Sequence, residues 1–375
     1  MKELLVVLSA RASYSRVRSV LLALKDNALV STHVVLVASA ASSKYGKLEQ
    51  FLIEDGIRVN WSIESQADAA LQSAMVRTTS STMLGIADYI LNFNIDGTLI
   101  IADRHETIAG AIASAYLNRK TFHLLGGEVS GNIDNKVRYA NSFMSDFHFV
   151  ATEASKNNLQ ACHIDPESIF VTGCPSLDFV PSEGNYDKQE LLKHFGGTGL
   201  SASEVLKNDY IVVVQHAETT SALSARDQIR HTIEAVDNLN MQALWIWPNS
   251  DSGSDEVIRE ITKARESGKL KQVHFERSIE PQSFLKVLGN SKCIVGNSSV
   301  AIRECSLMGI PAVNIGKRQN DRERALNVID TNFDIESVKN SISKQLQHGP
   351  YEPSQIYGDG KSGVRISRLI GNLLA

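Results

Sequence analysis

The sequence LIIADRHETIAGAIASAYLNRKTFHLLGGE, residues 99–128, decides the fold class of this chain. It begins with an apolar run at 99–102, continues through a helical pattern at 106–118, and ends with a second apolar run at 121–125. Short, near-continuous apolar runs are typical of strands that are buried on both faces. A strand, a helix and a strand in this order indicate a right-handed crossover between parallel strands. The stretch therefore predicts an α/β fold.

The same alternation continues along most of the chain. Further strands are predicted at 4–9, 33–37, 147–151, 169–172, 210–215, 243–247, 273–275, 293–296 and 312–315. Further helices are predicted at 14–25, 43–54, 134–145, 225–239, 254–266, 280–289, 299–308 and 364–373. The pattern breaks at 175–208, where Gly197-Thr198-Gly199 is interpreted as linker and one small helix is predicted at 187–194. We therefore predict two doubly wound, Rossmann-like domains, residues 1–180 and 181–360, with an interdomain cleft.

Length and composition agree with this organisation and exclude several classes of function. At ~150 residues per domain, a chain of 375 residues corresponds to two domains, or at most three. Lys and Arg number 38 against 42 Asp and Glu, and this formal net charge of −4 argues against a nucleic-acid-binding surface. Hydrophobic residues at 43% and charged residues at 21% are an ordinary globular mixture, which argues against disorder.

The amino terminus and the cysteines predict a cytoplasmic protein without a membrane partner. The apolar run at 4–8 is shorter than the ~7 residues of a signal-peptide core, and no run approaches the ~18 apolar residues of a membrane span. Cys162, Cys174, Cys293 and Cys305 stand singly, without the spacing of a zinc site or a redox pair. We expect them to be small buried side chains in a reducing compartment.

Polar residues gather where the predicted strands end, which is where doubly wound sheets bind ligands. After the first strand come Arg11, Tyr14, Ser15 and Arg16. Two arginines and a hydroxyl at the start of a helix suit an anion. A capped helix with solvated arginines explains these residues about equally well.

Carboxylates follow the two strands of the deciding stretch. Asp103-Arg104-His105-Glu106 comes after the first of them, Glu128 comes after two glycines that follow the second, and Asp134 lies six residues further on. Paired carboxylates in a cleft suit general acid–base chemistry, because repulsion and burial separate their pKa values. Helix capping and a glycine turn are the structural alternative. His105-Glu106 is not a zinc motif, because Ala109 occupies the position of the second histidine.

The second half of the chain carries a candidate phosphate site. Gly296-Asn297-Ser298-Ser299 follows a predicted strand and begins a predicted helix, so its N–H groups and hydroxyls suit a phosphate, although the lysine of a P-loop is missing. Further polar residues at strand ends are His216, Asn249, Lys317 and Arg318. Histidines without such a context, interpreted as strand or surface residues, are His123, His148 and His163. Carboxylates on one wall of a cleft and phosphate-binding groups on the other predict a nucleotide-sugar enzyme.

In their order, these motifs resemble the hydrolysing UDP-N-acetylglucosamine 2-epimerases of sialic-acid biosynthesis. Both the bacterial enzymes and the epimerase half of the mammalian bifunctional epimerase/kinase are similar to this chain, nearly from end to end. The motifs that carry the resemblance are Arg11 with Tyr14-Ser15, Asp103-Arg104-His105-Glu106, Gly126-Gly127-Glu128-Val129-Ser130-Gly131 with Ile133-Asp134, Gly173-Cys174-Pro175-Ser176, Gln215-His216, Pro248-Asn249, Gly296-Asn297-Ser298-Ser299 with Arg303-Glu304, Asn314-Ile315-Gly316 with Arg318-Gln319, and Ile356-Tyr357-Gly358-Asp359-Gly360.

The resemblance implies a glycosyltransferase-B-type fold, in which a C-terminal helix within 361–375 joins the first domain. It implies conversion of UDP-N-acetylglucosamine and water to UDP and N-acetylmannosamine, with no cofactor and no metal, in a homodimer or homotetramer. Asp103, Glu128 and Asp134 would be the catalytic acids and bases. The residues that would bind UDP are His216, Asn249, Ser298, Ser299, Glu304 and Arg318, with Arg11, Ser15 and Arg104 reaching across from the first domain.

Departures from the family pattern surround the expected sugar pocket. Ala102 and His105 stand where the family usually has Gly and Phe, Tyr139 replaces a usual His, and Asn135 replaces a frequent acid. They leave open hydrolysis of a UDP-linked 2,4-diacetamido-2,4,6-trideoxyglucose on the way to legionaminic acid. The sequence is also compatible with a non-hydrolysing epimerase, a glycosyltransferase or a catalytically silent UDP-sugar binder.

Overall fold

The computed structural model describes residues 1–42, 48–65, 73–129, 133–180, 188–218, 221–248, 253–277 and 279–375. These residues form two compact units. The first unit is Met1–Asp178 with Gly358–Ala375, and the second unit is Phe179–Tyr357. Each unit is built on a doubly wound, largely parallel sheet with helices between its strands, which confirms the predicted fold class. In the described parts of the chain, no helix is long and apolar enough to cross a membrane.

Seven described strands form the sheet of the first unit, all paired in parallel. They are β1 (Lys2–Leu8), β2 (Val30–Val37), β3 (Val59–Ile63), β4 (Gly97–Ile101), β5 (Lys120–Leu124), β6 (Phe147–Val150) and β7 (Ile169–Val171), in the order β3-β2-β1-β4-β5-β6-β7. The helices are α1 (Arg11–Ser15), α2 (Arg18–Lys25), α3 (Leu48–Glu54), α4 (Ala74–Asn92), α5 (Thr107–Tyr116), α6 (Ile133–Phe143) and α7 (Glu153–Ala161). The strand order reverses between β1 and β4, so the carboxyl ends of these strands border the crevice where such sheets bind ligands.

The described strands of the second unit also form one sheet. They are β8 (Thr198–Gly199), β9 (Tyr210–Val214), β10 (Gln242–Ile246), β11 (Val273–Glu276), β12 (Cys293–Gly296), β13 (Ala312–Ile315) and β14 (Val328–Thr331), in the order β14-β13-β12-β9-β10-β11-β8. The helices are α8 (Lys188–Leu192), α9 (Ala202–Val205), α10 (Ala225–Asp237), α11 (Ser254–Glu266), α12 (Pro281–Gly289), α13 (Glu304–Met308) and α14 (Ile335–His348). Here the reversal lies between β9 and β12, whose residues are all buried.

The last helix, α15 (Ser362–Leu374), packs on α2 in the first unit. The carboxylate of Asp178 accepts hydrogen bonds from the N–H groups of Ser362 and Gly363, at 2.9 Å and 2.6 Å, and so satisfies two donors at the start of the helix. The amide of Asn27 donates to the carbonyl of Ser367 at 2.8 Å. These bonds attach the end of the chain to the domain that contains its beginning.

Several elements differ from the sequence-based expectations. The helix expected at 299–308 is wrong: a short 3-10 turn, Ser299–Ala301, precedes a separate α13, because the carbonyl of Ser299 accepts from the N–H groups of both Ile302 and Arg303. The expected linker at Thr198 is wrong too, since β8 pairs antiparallel with β11. The helix expected at 14–25 is divided between α1 and α2.

Elements that the sequence pattern missed are β3, β14, α4, α7, α9 and α14. The two strands are edge strands whose outward residues are polar or exposed, so the buried-strand pattern is absent from them. Helix α4 contains the run Thr78-Thr79-Ser80-Ser81-Thr82, residues of low helix propensity, and is stabilised by packing on α5.

Candidate functional site

Asp103 follows the turn at the carboxyl end of β4, in the middle of the first sheet. Its side chain is nearly buried and lies between two guanidinium groups. Nη1 of Arg16 is 3.4 Å from Oδ1, and Nη2 of Arg138 donates to Oδ2. Charge-assisted bonds of this kind fix the orientation of a carboxylate. The turn that presents Asp103 is strained, because Ala102 has a φ of 57°.

Arg138 of α6 connects the segments that carry the predicted acids. Only 1% of this residue is exposed. Besides Asp103, it donates through Nη1 to the backbone carbonyl of Glu128 at 2.8 Å and to Oδ1 of Asn135 at 3.3 Å. Asp134 is in the first turn of the same helix. The structure therefore brings the segments of Asp103, Glu128 and Asp134 together around one buried arginine, which the sequence analysis did not select.

Glu128 is buried, and Asp134 is half-buried. The carbonyl of Gly127, just before Glu128, accepts a hydrogen bond from the amide of Asn158 at 2.9 Å. Of the residues between the two acids, 130–132 lie outside the described residues. The backbone of Gly127 and Glu128 thus accepts hydrogen bonds from two helices, α6 and α7.

Within the charged cluster after β4, Glu106 binds its two neighbouring side chains. Glu106 is fully buried, and its carboxylate lies 2.6 Å from Nε of Arg104 and 2.9 Å from Nδ1 of His105. Burial would raise the pKa of Glu106, but the bond from His105 and the charge of Arg104 outweigh it and hold that pKa at about 2. Glu106 stands at the N-cap position of α5 but makes no side-chain cap bond. Its partners are therefore the neighbouring cations rather than the helix end.

Some residues after β1 make bonds within the domain, and others are candidates for ligand binding. Tyr14 is buried and donates to Oδ2 of Asp55, while Arg18 binds the same carboxylate through two bonds of 2.6 Å. Arg11 is exposed, with its guanidinium 5.3 Å from the ring centre of Phe51. Ser15 is half-buried at the end of α1. Arg11 and Ser15 thus lie at the carboxyl end of β1, the strand beside β4.

In the second unit, Asn297 connects the two strands at the reversal. It is fully buried directly after β12. Its side chain accepts from the N–H of His216 at 2.8 Å and donates to the carbonyl of His216 at 2.9 Å. Gly296 permits this approach, because its φ is 135° and a Cβ there would lie 2.0 Å from the carbonyl oxygen of Val214. His216 is therefore fixed beside the Ser298-Ser299 segment.

The predicted phosphate-binding residues cluster at this edge. The hydroxyl of Ser298 accepts from the N–H of Val300 at 3.4 Å, and Ser299 begins the 3-10 turn. Arg318, after β13, donates to the carbonyl of Asn297 at 3.2 Å. Glu304 is buried, and its Oε2 has no hydrogen-bond partner among the residues that the structure describes. A buried carboxylate oxygen of this kind is available to a ligand donor.

Asn249 and the four cysteines complete the residues that the sequence analysis considered. Asn249 lies outside the described residues. Cys174, Cys293 and Cys305 are buried free thiols, as predicted, whereas Cys162 is only half-buried. In the described part of the chain, no group of three or more His, Cys, Asp or Glu side chains is placed to hold a metal ion.

Comparisons with known proteins agree on one family. The model of the family "UDP-N-acetylglucosamine 2-epimerase" matches residues 23–371. A UDP-N,N'-diacetylbacillosamine 2-epimerase (hydrolyzing) from Legionella pneumophila is 30% identical over 372 residues, which cover 98% of this chain and 95% of that protein. A UDP-N-acetylglucosamine 2-epimerase from Neisseria meningitidis serogroup B is 25% identical over 375 residues, or 99% of this chain and 96% of the relative.

A solved structure gives the same fold. The crystal structure of UDP-GlcNAc 2-epimerase from Neisseria meningitidis bound to UDP-GlcNAc has a TM-score of 0.81 and 17% sequence identity, covering 98% of this chain and 99% of that chain. The two parallel-sheet α/β domains implied by the resemblance are confirmed.

Proposed function

We propose, because the chain belongs to the UDP-N-acetylglucosamine 2-epimerase family, that it converts UDP-N-acetylglucosamine and water to UDP and N-acetylmannosamine, the first step towards sialic acid. The observation that carries the proposal is the buried Asp103 at the strand-order reversal, with Arg16 and Arg138 on its two oxygens. A hydrolysing 2-epimerase that is similar over 98% of the chain supports the hydrolysing type of reaction, and a UDP-N-acetylglucosamine 2-epimerase that is similar over 99% of the chain supports the sugar.

The proposed reaction begins with elimination. The hydrogen on C2 of the sugar is not acidic, so the bond between C1 and the diphosphate oxygen breaks first, and its electron pair leaves with UDP. A carboxylate stabilises the cationic character at C1 and removes the proton from C2. The electrons of the C2–H bond form the C1–C2 double bond, which gives a 2-acetamidoglucal.

Hydration completes the reaction. Water adds its oxygen to C1 and gives up a proton, while an acid delivers a proton to C2 on the face opposite to the one deprotonated. We assign the proton transfers at C2 to Asp103 and Glu128, and we assign Asp134 as their partner or as the activator of water. A joint role of Asp103 and Glu128 is supported by Arg138, which contacts both Asp103 and the backbone of Glu128.

UDP is assigned to residues of the second unit. Arg318 and the hydroxyls of Ser298 and Ser299 would stabilise the leaving diphosphate. Glu304 would accept hydrogen bonds from hydroxyls of the nucleoside, and its unpartnered buried oxygen supports that assignment. The other residues assigned to the nucleotide sugar are Arg11, Ser15, Arg104, His216 and Asn249.

A second candidate substrate is a UDP-linked 2,4-diacetamido-trideoxy sugar. It is favoured by the Legionella pneumophila relative, whose name gives UDP-N,N'-diacetylbacillosamine as its substrate. The elimination and hydration steps would be the same, since the two sugars differ at C4 and C6 and not at the reacting carbons.

Side-by-side measurement of UDP release from the two sugars, without an acceptor and with the product identified, tests the proposal. Release of UDP together with free N-acetylmannosamine supports it, and faster turnover of the diacetamido sugar would replace the substrate. Return of a UDP-linked epimer would indicate a non-hydrolysing enzyme. Tight UDP binding without turnover of either sugar would instead indicate a transferase or a silent binder.

A further inference from the structure

His123 of β5 lies beneath the turn that presents Asp103. Its imidazole is fully buried, with Nε2 3.0 Å from the carbonyl oxygen of Ala102 and Nδ1 2.9 Å from the hydroxyl of Ser142. A carbonyl oxygen only accepts hydrogen bonds, so the hydrogen of the ring must be on Nε2. In the neutral ring, Nδ1 is an acceptor, and the hydroxyl of Ser142 can direct its one hydrogen either to Nδ1 at 2.9 Å or to the carbonyl of Arg138 at 3.2 Å.

The carbonyl that His123 binds belongs to a strained residue. Ala102 has a φ of 57°, in the left-handed region, which is unfavourable for an alanine. The amide of Asn141 donates to the same carbonyl oxygen at 3.2 Å and to the hydroxyl of Thr107 at 2.7 Å. Two buried donors therefore hold the residue directly before Asp103 in a conformation that it would not otherwise favour.

The same imidazole also contacts the segment that leads to Glu128. A Cβ on Gly126 would lie 2.8 Å from Nδ1 of His123 and 2.9 Å from the hydroxyl of Ser142, so the backbone there packs directly on this pair. Gly126 is two residues before Glu128. His123 thus lies between the two segments that carry proposed catalytic carboxylates.

We propose that His123, in its Nε2–H tautomer and together with Asn141, is a positioning residue that holds the Ala102 turn and thereby directs the carboxylate of Asp103. This inference rests on the proposed function, in which Asp103 takes part in proton transfer at C2. The sequence pattern alone indicates no function for His123.

The charge state of the ring agrees with this role. Burial lowers the pKa of His123 to about 4, against the bond from its Nε2 to Ala102. The charged groups that act on it are Arg138, which lowers that pKa further, and Asp103, which raises it, and His148 lies beside it on β6. At neutral pH the ring is therefore uncharged and carries a single donor.

Two substitutions separate the donor from the bulk of the ring. His123→Met puts an apolar side chain of similar size in place of the ring and removes the donor. His123→Gln retains an N–H near the position of Nε2. His148→Met is the matched control, because His148 is also buried, pairs in register with His123, and has an Nδ1 without a hydrogen-bond partner in the described residues.

We expect kcat of His123→Met to fall by about 100-fold, with KM and the Kd for UDP little changed, because misplacement of a catalytic group impairs the chemical step. His123→Gln should regain about tenfold of that loss. The control should stay within about threefold of the parent. If His123→Met loses no more than the control, or if Gln gives no recovery, the positioning role is wrong. If His123→Met does not fold, Asn141→Leu must show the same selective loss of kcat, and an unchanged kcat would overturn the proposal.

A second measurement does not depend on turnover. In protein labelled with ¹⁵N at histidine, the resonances lost in His123→Gln identify the ring, and they should show the Nε2–H tautomer without titration between pH 8 and about pH 5.5. An Nδ1–H tautomer or a charged ring at pH 7 would overturn the proposal. If the tautomer is found but the parent protein releases no UDP from either sugar, the proposed function fails and the hydrogen-bond arrangement stands.

Discussion

Replacing Arg138 by methionine should destabilise the first unit and should do so through Asp103. The guanidinium is 1% exposed and binds Asp103 and the carbonyl of Glu128. The methionine side chain would nearly match the length of the aliphatic part of the arginine but would have no donor for either oxygen. The carboxylate of Asp103, which is itself nearly buried, would then lose its hydrogen bond from α6.

The magnitude follows from the burial of the pair. Breaking a buried ion pair by removing one partner costs ~3–5 kcal/mol. Arg16 remains 3.4 Å from the other oxygen of Asp103, so we take the low end, about 3 kcal/mol. For a unit of this size, that loss corresponds to a fall in Tm of about 6–12 °C.

A double-mutant cycle assigns the loss to the pair. Hydrogen exchange of the amides of β4 and β5 reports the opening free energy of the first unit in Arg138→Met, Asp103→Asn and the double variant. We expect a coupling energy of about 2 kcal/mol. Lys136→Met, on the exposed side of α6, is the control and should change stability by less than about 0.5 kcal/mol. Additive effects of the two substitutions would refute the reasoning, since they would show that the pair does not stabilise the unit.

Three further predictions address the acids and the nucleotide. Asp103→Asn should abolish UDP release while the Kd for UDP, measured by calorimetry, changes by less than about threefold, and full turnover would remove Asp103 from the catalytic residues. Glu106, with a pKa of about 2 against an ordinary 4.5, contributes stability that is present above pH 4.5 and is lost as the pH falls towards 2. Glu106→Gln should therefore weaken the decline of Tm between these two pH values, and an unchanged acid profile would contradict the assignment. Glu304→Gln should weaken UDP binding by about tenfold, whereas Glu256→Gln, on the exposed side of α11, should leave it unchanged, and equal affinities would show that the Glu304 oxygen does not meet the nucleotide.

The alternation of strands and helices could be read from the sequence, because central parallel strands are apolar on both faces. The strands β12 and β13 have the predicted bounds, and β9 differs by one residue at its end. Two edge strands escape the pattern for the corresponding reason. β3 and β14 have one side without a neighbouring strand, so polar and exposed residues interrupt their apolar pattern.

The sequence also indicates where polar groups gather, but it does not indicate which of them are buried and bonded to each other. Arg138 lies in a helix with other polar residues, and there a long cation is usually solvated. Its burial depends on Asp103, 35 positions away, and no local pattern encodes that contact. The sequence shows Asn297 as part of a serine-rich turn, but its bonds to His216 depend on the adjacency of β9 and β12, which follows only from the assembled sheet.

The central claim is elimination followed by hydration at a site that includes Asp103. The most direct measurement is the turnover of UDP-N-acetylglucosamine in heavy water, with the sugar product examined by NMR. We expect free N-acetylmannosamine with one deuterium at C2 and release of UDP from the parent protein, and neither product from Asp103→Asn. A product that retains hydrogen at C2, or a label that enters with Asp103→Asn as fast as with the parent, would contradict it.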